Sequence, residues 1–454
     1  MTGRVRSGIA GLDGAGFDVA VVGGGIAGIA AALAAADRGA RTLLVEAAEA
    51  LGGNATGAFV HTICGLYEAA DDGPPQPANE GFAMRFAAEL AAAGGAGAPE
   101  RAGRVWVVPT DPPAIESHAA RVCAARAHLR ARVDCELTAA ALAADPHRPS
   151  RLVLESAGGP GERAAVSAEV VIDASGDGAL AALGGAGAVR ATDAERQLPS
   201  YIARVAGVPA EDLLGFGRLR LSVALAGAAR RRRLPAGCES VLLRPASKQG
   251  EAYLTLNVSR DEVAAAADPD PDAARRAIER RARAHVEEIV LHLRETRAGY
   301  GGCRVVAWPR RLGVREGARL AGLVTLDEDD VLAGRRRDDE VARSSWPIEL
   351  WHDHRAASFA YPRGASSVPL GALVSRSHPR LGMAGRCVSA THAALGALRV
   401  LGTALATGEA IGIAAALAAE RRCALAAITA REVRQACGLT GRIGPSVTTT
   451  SRAT

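Results

Sequence analysis

One stretch near the start of the chain, residues 18–46, constrains the fold more than any other. It opens with the apolar run Val19–Val22, passes through a glycine turn into an alanine-rich segment, and ends on a second apolar run closed by Glu46. This order is typical of a βαβ unit with two parallel strands. A carboxylate at the end of the second strand can accept hydrogen bonds from a ribose hydroxyl. The stretch therefore predicts a dinucleotide-binding unit.

The glycines of this stretch have the spacing that a pyrophosphate site requires. Gly23, Gly25 and Gly28 form G-x-G-x-x-G, which allows a tight turn, a close backbone approach to the phosphates and close packing of helix on strand. We expect the N–H groups at Ile26 and Ala27 to point at the phosphates. The alternative is an ordinary βαβ crossover with incidental glycines, because the chain contains 52 of them.

Composition predicts a globular protein with an unusual interior. The 454 residues are 48% hydrophobic but only 3% aromatic, so the core must be built from small and branched side chains. The net charge of +5 comes from arginine, since Lys248 is the sole lysine. The arginine runs at 230–233 and 335–337 are interpreted as surface, and no pattern resembles a nucleic-acid module. We therefore expect no nucleic-acid partner.

Cysteine usage and hydropathy predict a cytoplasmic protein. The eight cysteines lie far apart without a CxxC pair, which argues against a metal site and favours reduced thiols. The first residues show no signal-peptide pattern. The apolar stretch 403–419 contains Glu409, which favours a buried helix over a membrane span. We expect neither a metal nor a membrane partner.

A glycine pair follows the second strand almost at once. Gly52 and Gly53, with Asn54, Ala55 and Thr56 after them, favour FAD over NAD. In flavoproteins with this dinucleotide-binding domain, the chain turns at such a pair to run along the cofactor. All five residues are predicted FAD contacts.

The second motif is an apolar strand, 170–173, that ends in a turn of small residues. Ala174, Ser175, Gly176 and Asp177 form this turn and are predicted to contact the adenine side of the cofactor. A strand that simply ends in a polar turn is the alternative.

Four blocks carry a resemblance to a known family: residues 21–58, 170–186, 312–342 and 367–418. In this order they resemble the FAD-dependent oxidoreductases related in fold to fumarate-reductase-type and glutathione-reductase-type flavoproteins. The resemblance implies an α/β fold, in which a Rossmann-type FAD-binding domain has a parallel sheet, a βαβ unit and a β-meander. It also implies an inserted α+β substrate or cap domain.

The resemblance divides the chain into five parts. We expect a flexible N-terminal lead at 1–16, the first part of the FAD-binding domain at 17–190, the inserted domain at 191–374, the C-terminal part of the FAD-binding domain at 375–419, and a helix and tail at 420–454.

The C-terminal blocks supply the remaining predicted cofactor contacts. Gly385 and Arg386 lie in a glycine turn after a short strand, and in this kind of fold that turn faces the ribityl chain and pyrophosphate. Gly408 and Ala410 belong to the last long helix, whose N-terminal end is implied to lie near the flavin. Its dipole there can stabilise negative charge on the reduced ring.

Catalytic residues are predicted less directly. His392 is the candidate acid or base, because imidazole titrates near neutral pH and its segment is implied to lie by the flavin. A packed histidine, or one that only bonds the flavin edge, is the alternative. FAD oxygens or an anionic substrate could be bound by Arg386, by Arg399 and by the group Arg315, Glu316 and Arg319, whereas an ion pair of Arg315 with Glu316 at the domain interface is the alternative. Cys64 thiol chemistry and covalent flavin attachment at His61 are further alternatives.

Three functions remain open at this point. The first is an FAD-dependent oxidoreductase that transfers a hydride between the flavin and a small organic substrate. The second is a flavin monooxygenase that uses O₂, and the third is a non-catalytic FAD-binding partner protein. A separate electron donor or acceptor is a further predicted partner of either enzyme.

Overall fold

The computed structural model describes residues 5–156, 161–235, 237–268 and 270–439. Its strands, in chain order, are β1 (Arg6–Ser7), β2 (Gly16–Val22), β3 (Thr42–Val45), β4 (Thr62–Cys64), β5 (Glu100–Ala102), β6 (Val105–Pro109), β7 (Leu129–Val133), β8 (Cys135–Ala141), β9 (Ser150–Ser156), β10 (Arg163–Asp173), β11 (Ala188–Val189), β12 (Ser200–Ala206), β13 (Leu242–Pro245), β14 (Glu251–Asn257), β15 (Arg304–Ala307), β16 (Arg319–Leu320), β17 (Glu340–Ser344), β18 (Ile348–Leu350), β19 (Ser358–Ala360), β20 (Ser366–Pro369) and β21 (Leu381–Met383).

The α-helices of the same residues alternate with these strands. They are α1 (Ile26–Asp37), α2 (Asn54–Gly57), α3 (Phe82–Ala92), α4 (Pro112–Ala124), α5 (Ala179–Gly184), α6 (Gly215–Arg230), α7 (Arg260–Ala265), α8 (Pro271–Thr296), α9 (Glu328–Leu332), α10 (His392–Leu398), α11 (Leu401–Arg421) and α12 (Ala430–Cys437).

The central sheet has the strand order β1-β7-β3-β2-β10-β9-β8. The strands β1, β7, β3, β2 and β10 are parallel, whereas β8, β9 and β10 form an antiparallel meander. The end of β10 also pairs in parallel with β21, which brings the chain back to this sheet 200 residues later. The predicted α/β fold with a βαβ unit and a β-meander is confirmed.

The central sheet is buried on both faces, as the side chains of β2 show. Val19 and Val21 point into one core with the helices α1 and α11, while Ala20 and Val22 point into a second core with the meander. Successive side chains of a strand alternate between faces, so a continuous apolar run suits a strand covered on both sides.

Helices α1 and α11 pack unusually closely over the sheet. A Cβ atom added to Gly408 would lie 2.2 Å from the carbonyl oxygen of Ala27, and one added to Gly412 would lie 2.2 Å from that of Ala31. Glycine at these two positions lets the backbones touch. Helix α11 is long and apolar enough to cross a membrane, but 94% of its apolar window is buried inside the protein.

A second sheet, with the order β13-β14-β12-β15, is antiparallel throughout and carries its own core. The helices α6 and α8 cover it, and their buried side chains join residues 201–312 into one cluster. Segregated helices on an antiparallel sheet form the α+β insertion that the sequence predicts.

The hydrophobic cores place the end of this insertion near residue 314, whereas we predicted 374. Leu326, Val331, Val341 and Val368 belong to the core of the first domain. Hydropathy could not show where the inserted domain ends, because the chain contains short apolar segments on both sides of this boundary.

The predicted flexible lead is wrong for its described part, residues 5–16. Strand β1 pairs with β7, and Ile9 and Leu12 are buried against the meander. These two apolar side chains anchor the segment. The predicted C-terminal helix is α12, and the tail from residue 440 lies outside the described residues.

Candidate active site

The two glycine-rich motifs meet at the carboxyl ends of β2 and β10. A Cβ atom on Gly23, which has a φ of +103°, would lie 2.5 Å from the carbonyl oxygen of Ala174. Only glycine permits this approach and this backbone conformation. Residues 150 positions apart in the chain therefore form one turn cluster, at the edge where parallel sheets bind ligands.

Two buried carboxylates hold this cluster in place. The Glu46 carboxylate accepts hydrogen bonds from the backbone N–H groups of Gly24 (2.7 Å) and Ala48 (3.0 Å). The Asp173 carboxylate accepts from the Ser175 hydroxyl (2.7 Å) and from the Leu180 N–H at the start of α5 (2.8 Å). Burial raises the pKa of Asp173. Both carboxylates thus fix loop backbone beside the glycine turn.

The glycine pair forms a second tight turn next to the first. A Cβ on Gly53 would lie 2.9 Å from the Cα of Gly25, so the two turns touch. The Thr56 hydroxyl donates to the carbonyl of Leu51 (2.8 Å), and the Asn54 amide donates to the carbonyl of Val314 (2.8 Å). This pair therefore connects the first turn to the segment that leaves the inserted domain.

A cavity of about 730 Å³ opens between the first sheet and the second sheet. That volume is typical of a small-molecule or cofactor site. Most of the predicted cofactor residues line it: Gly23, Gly25, Ile26, Ala27, Glu46, Gly52, Gly53, Asn54, Ala174, Ser175, Gly176, Asp177, Gly385 and Arg386. The structure thus brings together residues from three of the four sequence blocks, and we call their surface the nucleotide wall.

Five predicted cofactor residues do not line the cavity. Gly28 packs α1 on the turn, where a Cβ would lie 1.8 Å from the carbonyl oxygen of Gly23. Ala55 is buried and Thr56 binds its own turn. Gly408 and Ala410 are buried in α11, where Gly408 contacts the α1 backbone. The part of α11 at the cavity is its first turn, with Leu401 and Ala404.

Arg386 lines the cavity but is extensively bonded to the protein. Its guanidinium donates to the carbonyls of Gly176 (3.3 Å) and Val314, and lies 3.5 Å from the Asp177 carboxylate. This side chain clamps the second motif to the segment that follows the inserted domain. Contact with a cofactor is compatible with that role.

Sequence reasoning missed Arg311, which lies in the middle of the nucleotide wall. Its guanidinium is 4.0 Å from Glu46, and a Cβ on Gly53 would lie 3.4 Å from it. Burial lowers the pKa of Arg311, and its Nε has no hydrogen-bond partner among the described residues. The sequence did not distinguish Arg310 from Arg311, because only the fold directs Arg311 to the cavity and Arg310 to ion pairs with Glu49 and Glu116.

A second group of cavity residues has a different chemistry. It comprises His61, Arg244, Arg315, Trp346, Glu349 and Arg399, and we call it the arginine wall. His61 directly precedes β4 and Arg244 lies on β13, whereas the other four side chains belong to segments between the second sheet and α11. Their distance in sequence explains why no motif predicted them as a group.

His392 does not line the cavity. It begins α10, where its Nδ1 lies 2.8 Å from the buried Glu316 carboxylate. Burial alone would raise the pKa of Glu316, but His392 and Arg319 hold it below its ordinary value. The predicted Arg315–Glu316 ion pair is wrong, because Glu316 pairs with these two residues instead. A catalytic role for His392 stays a prediction.

His61 and Cys64 are neutral cavity groups. Burial lowers the pKa of His61 to about 4. Its Nδ1 donates to the carbonyl of Phe59 (2.9 Å), which leaves the buried Nε2 without a partner, and its ring stacks on Tyr253 at 4.4 Å. Burial raises the pKa of the Cys64 thiol to about 11. At neutral pH, His61 can therefore accept a hydrogen bond, and Cys64 is a thiol.

The nucleotide wall fits FAD. The first turn of α1 has no side-chain cap and no acidic residue, so its N–H groups are available to a phosphate. A Cβ on Gly25 would meet no atom closer than 3.9 Å, which leaves room for the pyrophosphate at the backbone. The unpartnered Nε of Arg311 supplies a cation. Gly23–Ala27, Glu46, Gly53 and Arg311 would hold the nucleotide half.

Fold and site together define a flavoprotein, with a dinucleotide-binding domain and an inserted α+β domain that share one cavity. A family model for FAD dependent oxidoreductases matches residues 18–437. The chain belongs to this family, so it is an enzyme and its cofactor is FAD.

Solved structures resemble the chain at low sequence identity. A geranylgeranyl bacteriochlorophyll reductase-like protein from Thermoplasma acidophilum is 15% identical over 94% of this chain and 83% of its own, with a TM-score of 0.46. The probable FAD-dependent monooxygenase pqsL from Pseudomonas aeruginosa is 15% identical over 93% and 92%, with a TM-score of 0.43. The p-nitrophenol 4-monooxygenase PnpA from Pseudomonas putida is 12% identical over 90% and 81%, with a TM-score of 0.42. No curated protein matches the sequence.

Proposed function

We propose that this enzyme transfers a hydride between FAD and a small organic substrate. The observation that carries the proposal is the single cavity, because its nucleotide wall and its arginine wall are continuous. A substrate on the arginine wall would share the cavity with the cofactor. FAD supplies the electron chemistry when it is bound.

The protein itself would position the substrate, exclude water from the cavity and accept a hydrogen bond from the substrate. Trp346 is buried and lines the cavity, so it shields the site from solvent. The free Nε2 of His61 can accept a hydrogen bond from a substrate hydroxyl or amine. Its low pKa keeps it neutral at pH 7, so it serves this purpose without a competing proton.

A separate electron donor or acceptor and a cytoplasmic location complete the proposal. All eight cysteines are unpaired, which supports a reducing compartment. Nucleic-acid and membrane partners are not part of the proposed function.

The experiment is a half-reaction analysis of the purified holoenzyme. The flavin is reduced anaerobically, and its reoxidation is followed spectroscopically with O₂ alone and with organic electron acceptors. We expect slow reoxidation by O₂ and fast reoxidation by an organic acceptor. A transient flavin–oxygen adduct would instead identify the monooxygenase. A protein that binds FAD but exchanges electrons with neither would support the non-catalytic alternative.

A further inference from the structure

The arginine wall carries more positive than negative charge. Arg244, Arg315 and Arg399 line it, whereas Glu349 is its only carboxylate among the described residues. Removing a guanidinium from water is costly unless a partner replaces the lost hydration. The wall is therefore suited to bind an additional negative group. Which arginine would bind that group depends on the partners that each arginine already has.

Arg399 and Glu349 form one pair that is already satisfied in part. Their side chains are 3.7 Å apart, and the Arg399 guanidinium also donates to the Glu349 carbonyl (3.2 Å). The Glu349 carboxylate accepts from the indole N–H groups of Trp346 (2.9 Å) and Trp351 (2.6 Å). One carboxylate therefore stands against three arginines. Burial alone would raise the pKa of Glu349, but the nearby charges of Arg399 and Arg315 lower it.

The hydrogen-bond partners of the Arg315 side chain among the described residues are neutral groups. Its guanidinium donates to the carbonyl of Leu198 and to the amide oxygen of Asn257 (2.6 Å), and it stacks on Trp351 at 4.6 Å. Burial and the nearby charge of Arg399 lower the pKa of Arg315 to about 9. The charge of Glu349 offsets part of this effect without a hydrogen bond to Arg315, so the wall keeps a net positive charge.

Arg244 is the arginine free to bind a ligand. It is half-buried on β13, it lines the cavity, and within the described part of the chain its guanidinium has no hydrogen bond or ion pair. Its charge acts on both His61 and Cys64, which line the same cavity. A charged donor and a neutral acceptor thus share one region of the wall.

The rest of the wall is apolar and aromatic. In a chain with only 3% aromatic residues, the cavity is lined by Trp346, Trp351, Phe359 and Tyr361. Phe359 is half-exposed, which places this apolar surface at the cavity's opening. A ligand that matched both features would join an acidic group to an apolar body.

We infer that the substrate is an organic carboxylate with an apolar body, and that Arg244 forms the direct ion pair with its carboxylate. This inference rests on the proposed function, since it names the substrate class for the same cavity. A guanidinium and a carboxylate can form two parallel hydrogen bonds, which add energy and geometric specificity to the ion pair. Arg315 and Arg399 add to the potential without contributing the contact.

The test is a titration of the holoenzyme with three probes: benzoate, its neutral isostere benzamide, and acetate, which lacks the apolar body. Binding is read from the flavin absorption spectrum and, independently, by calorimetry. We expect benzoate to bind at least 10-fold more tightly than either other probe. Arg244→Gln should weaken benzoate binding at least 10-fold and leave benzamide binding unchanged.

Arg304→Gln is the matched control. It removes the same charge from an exposed position on β15, at the opposite edge of the same sheet, and should leave benzoate binding within about twofold of the wild type. Should Arg244→Gln not fold, Arg244→Lys keeps the charge without the two parallel hydrogen bonds and should weaken binding several-fold.

Equal binding of benzoate and benzamide by the wild type, or no loss on removal of the Arg244 charge, would overturn the inference. Calorimetry separates this failure from that of the proposed function. Protein that binds benzoate through Arg244 but shows no flavin electron transfer would keep the anion site and refute the proposed reaction.

Discussion

At the scale of single residues, the charges of the cavity divide into two groups with different partners. Arg311 faces Glu46 on the nucleotide wall at 4.0 Å, beyond hydrogen-bond distance, and its Nε has no partner in the described chain. A half-buried cation in this state is stabilised when an anion binds beside it. The pyrophosphate of FAD is the anion that the glycine turn prepares for.

We therefore expect Arg311→Gln to weaken FAD binding by about tenfold or more, equivalent to ~1.4 kcal/mol. The measurement is the FAD dissociation constant by fluorescence. The adjacent Arg310→Gln is the control, because Arg310 pairs with Glu49 and Glu116 outside the cavity. Equal loss of affinity in both variants would show that Arg311 acts through stability alone.

His61 makes stability depend on pH in a defined direction. Burial lowers its pKa to about 4, so between pH 6.5 and 4 the unfolded chain binds a proton that the folded chain excludes. The free energy of unfolding should therefore fall by up to about 3 kcal/mol as the pH falls through this window. Above the window, His61 should make no pH-dependent contribution.

The measurement is urea unfolding at a series of pH values, with His61→Asn compared with the wild type. The difference between the two should change across the window and be constant above pH 7. The exposed His128→Asn is the control, and it should shift stability by no more than about 0.5 kcal/mol. A wild-type profile reproduced by His61→Asn would refute the assignment.

At the scale of elements, the contact between α1 and α11 decides where the cavity wall lies. Gly408 and Gly412 let α11 touch the backbone of α1, and the first turn of α11 then reaches the cavity through Leu401. The alanine-rich sequence of both helices is thus explained by close packing. Gly408, predicted as a cofactor contact, serves this interface.

Adding one methyl group at this contact should separate the helices. We expect Gly408→Ala and Gly412→Ala each to cost about 2 kcal/mol or more, since the neighbouring atoms belong to backbone and cannot move aside. Thermal or urea unfolding measures the change. The matched variant is Gly227→Ala in α6, where the nearest atoms are the flexible end of Arg231, so helix propensity should leave it neutral or slightly stabilised.

Much of the nucleotide wall could be predicted from sequence because local spacing determines it. Gly23, Gly25, Glu46 and the turn at 174–177 act within short, regular segments, and all of them line the cavity. The arginine wall could not be predicted in this way. Arg244 becomes part of a site only when the second sheet packs over the first domain. A single arginine also has no sequence spacing from which a site could be predicted.

At the scale of the whole molecule, Glu316 connects the two domains. It lies directly after the insertion, its carboxylate accepts from the Gln197 N–H on the entering segment (3.2 Å), and it pairs with Arg319 and with His392 of the first domain. Its side chain is 1% exposed. The sequence indicated charged residues here, but the partner of Glu316 depends on where α10 lies.

Breaking this cluster should destabilise the protein as a unit. We expect Glu316→Gln to lower the free energy of unfolding by about 3 kcal/mol, because Arg319 is left buried without its counter-ion. The folded pKa of Glu316 is lowered, so its contribution is present above an unfolded pKa of ~4.3 and is lost as pH falls through the folded value.

Urea unfolding at pH 7 and pH 3 tests this, and the gap between wild type and Glu316→Gln should narrow at the lower pH. Glu328→Gln is the control, since this exposed carboxylate only accepts from Thr391. A gap that is unchanged at pH 3 would contradict the sign of the pKa shift.

The cavity is lined by two sheets with separate cores, by the turns of the first sheet on one side and by side chains of β12, β13 and β14 on the other. Substitutions on β13 or β14 can therefore alter what is recognised while the turns at Gly23 and Gly53 keep the redox group in place. This division separates substrate recognition from cofactor binding. New substrate preferences can arise through changes in one sheet, at little risk to the electron chemistry that the other sheet supports.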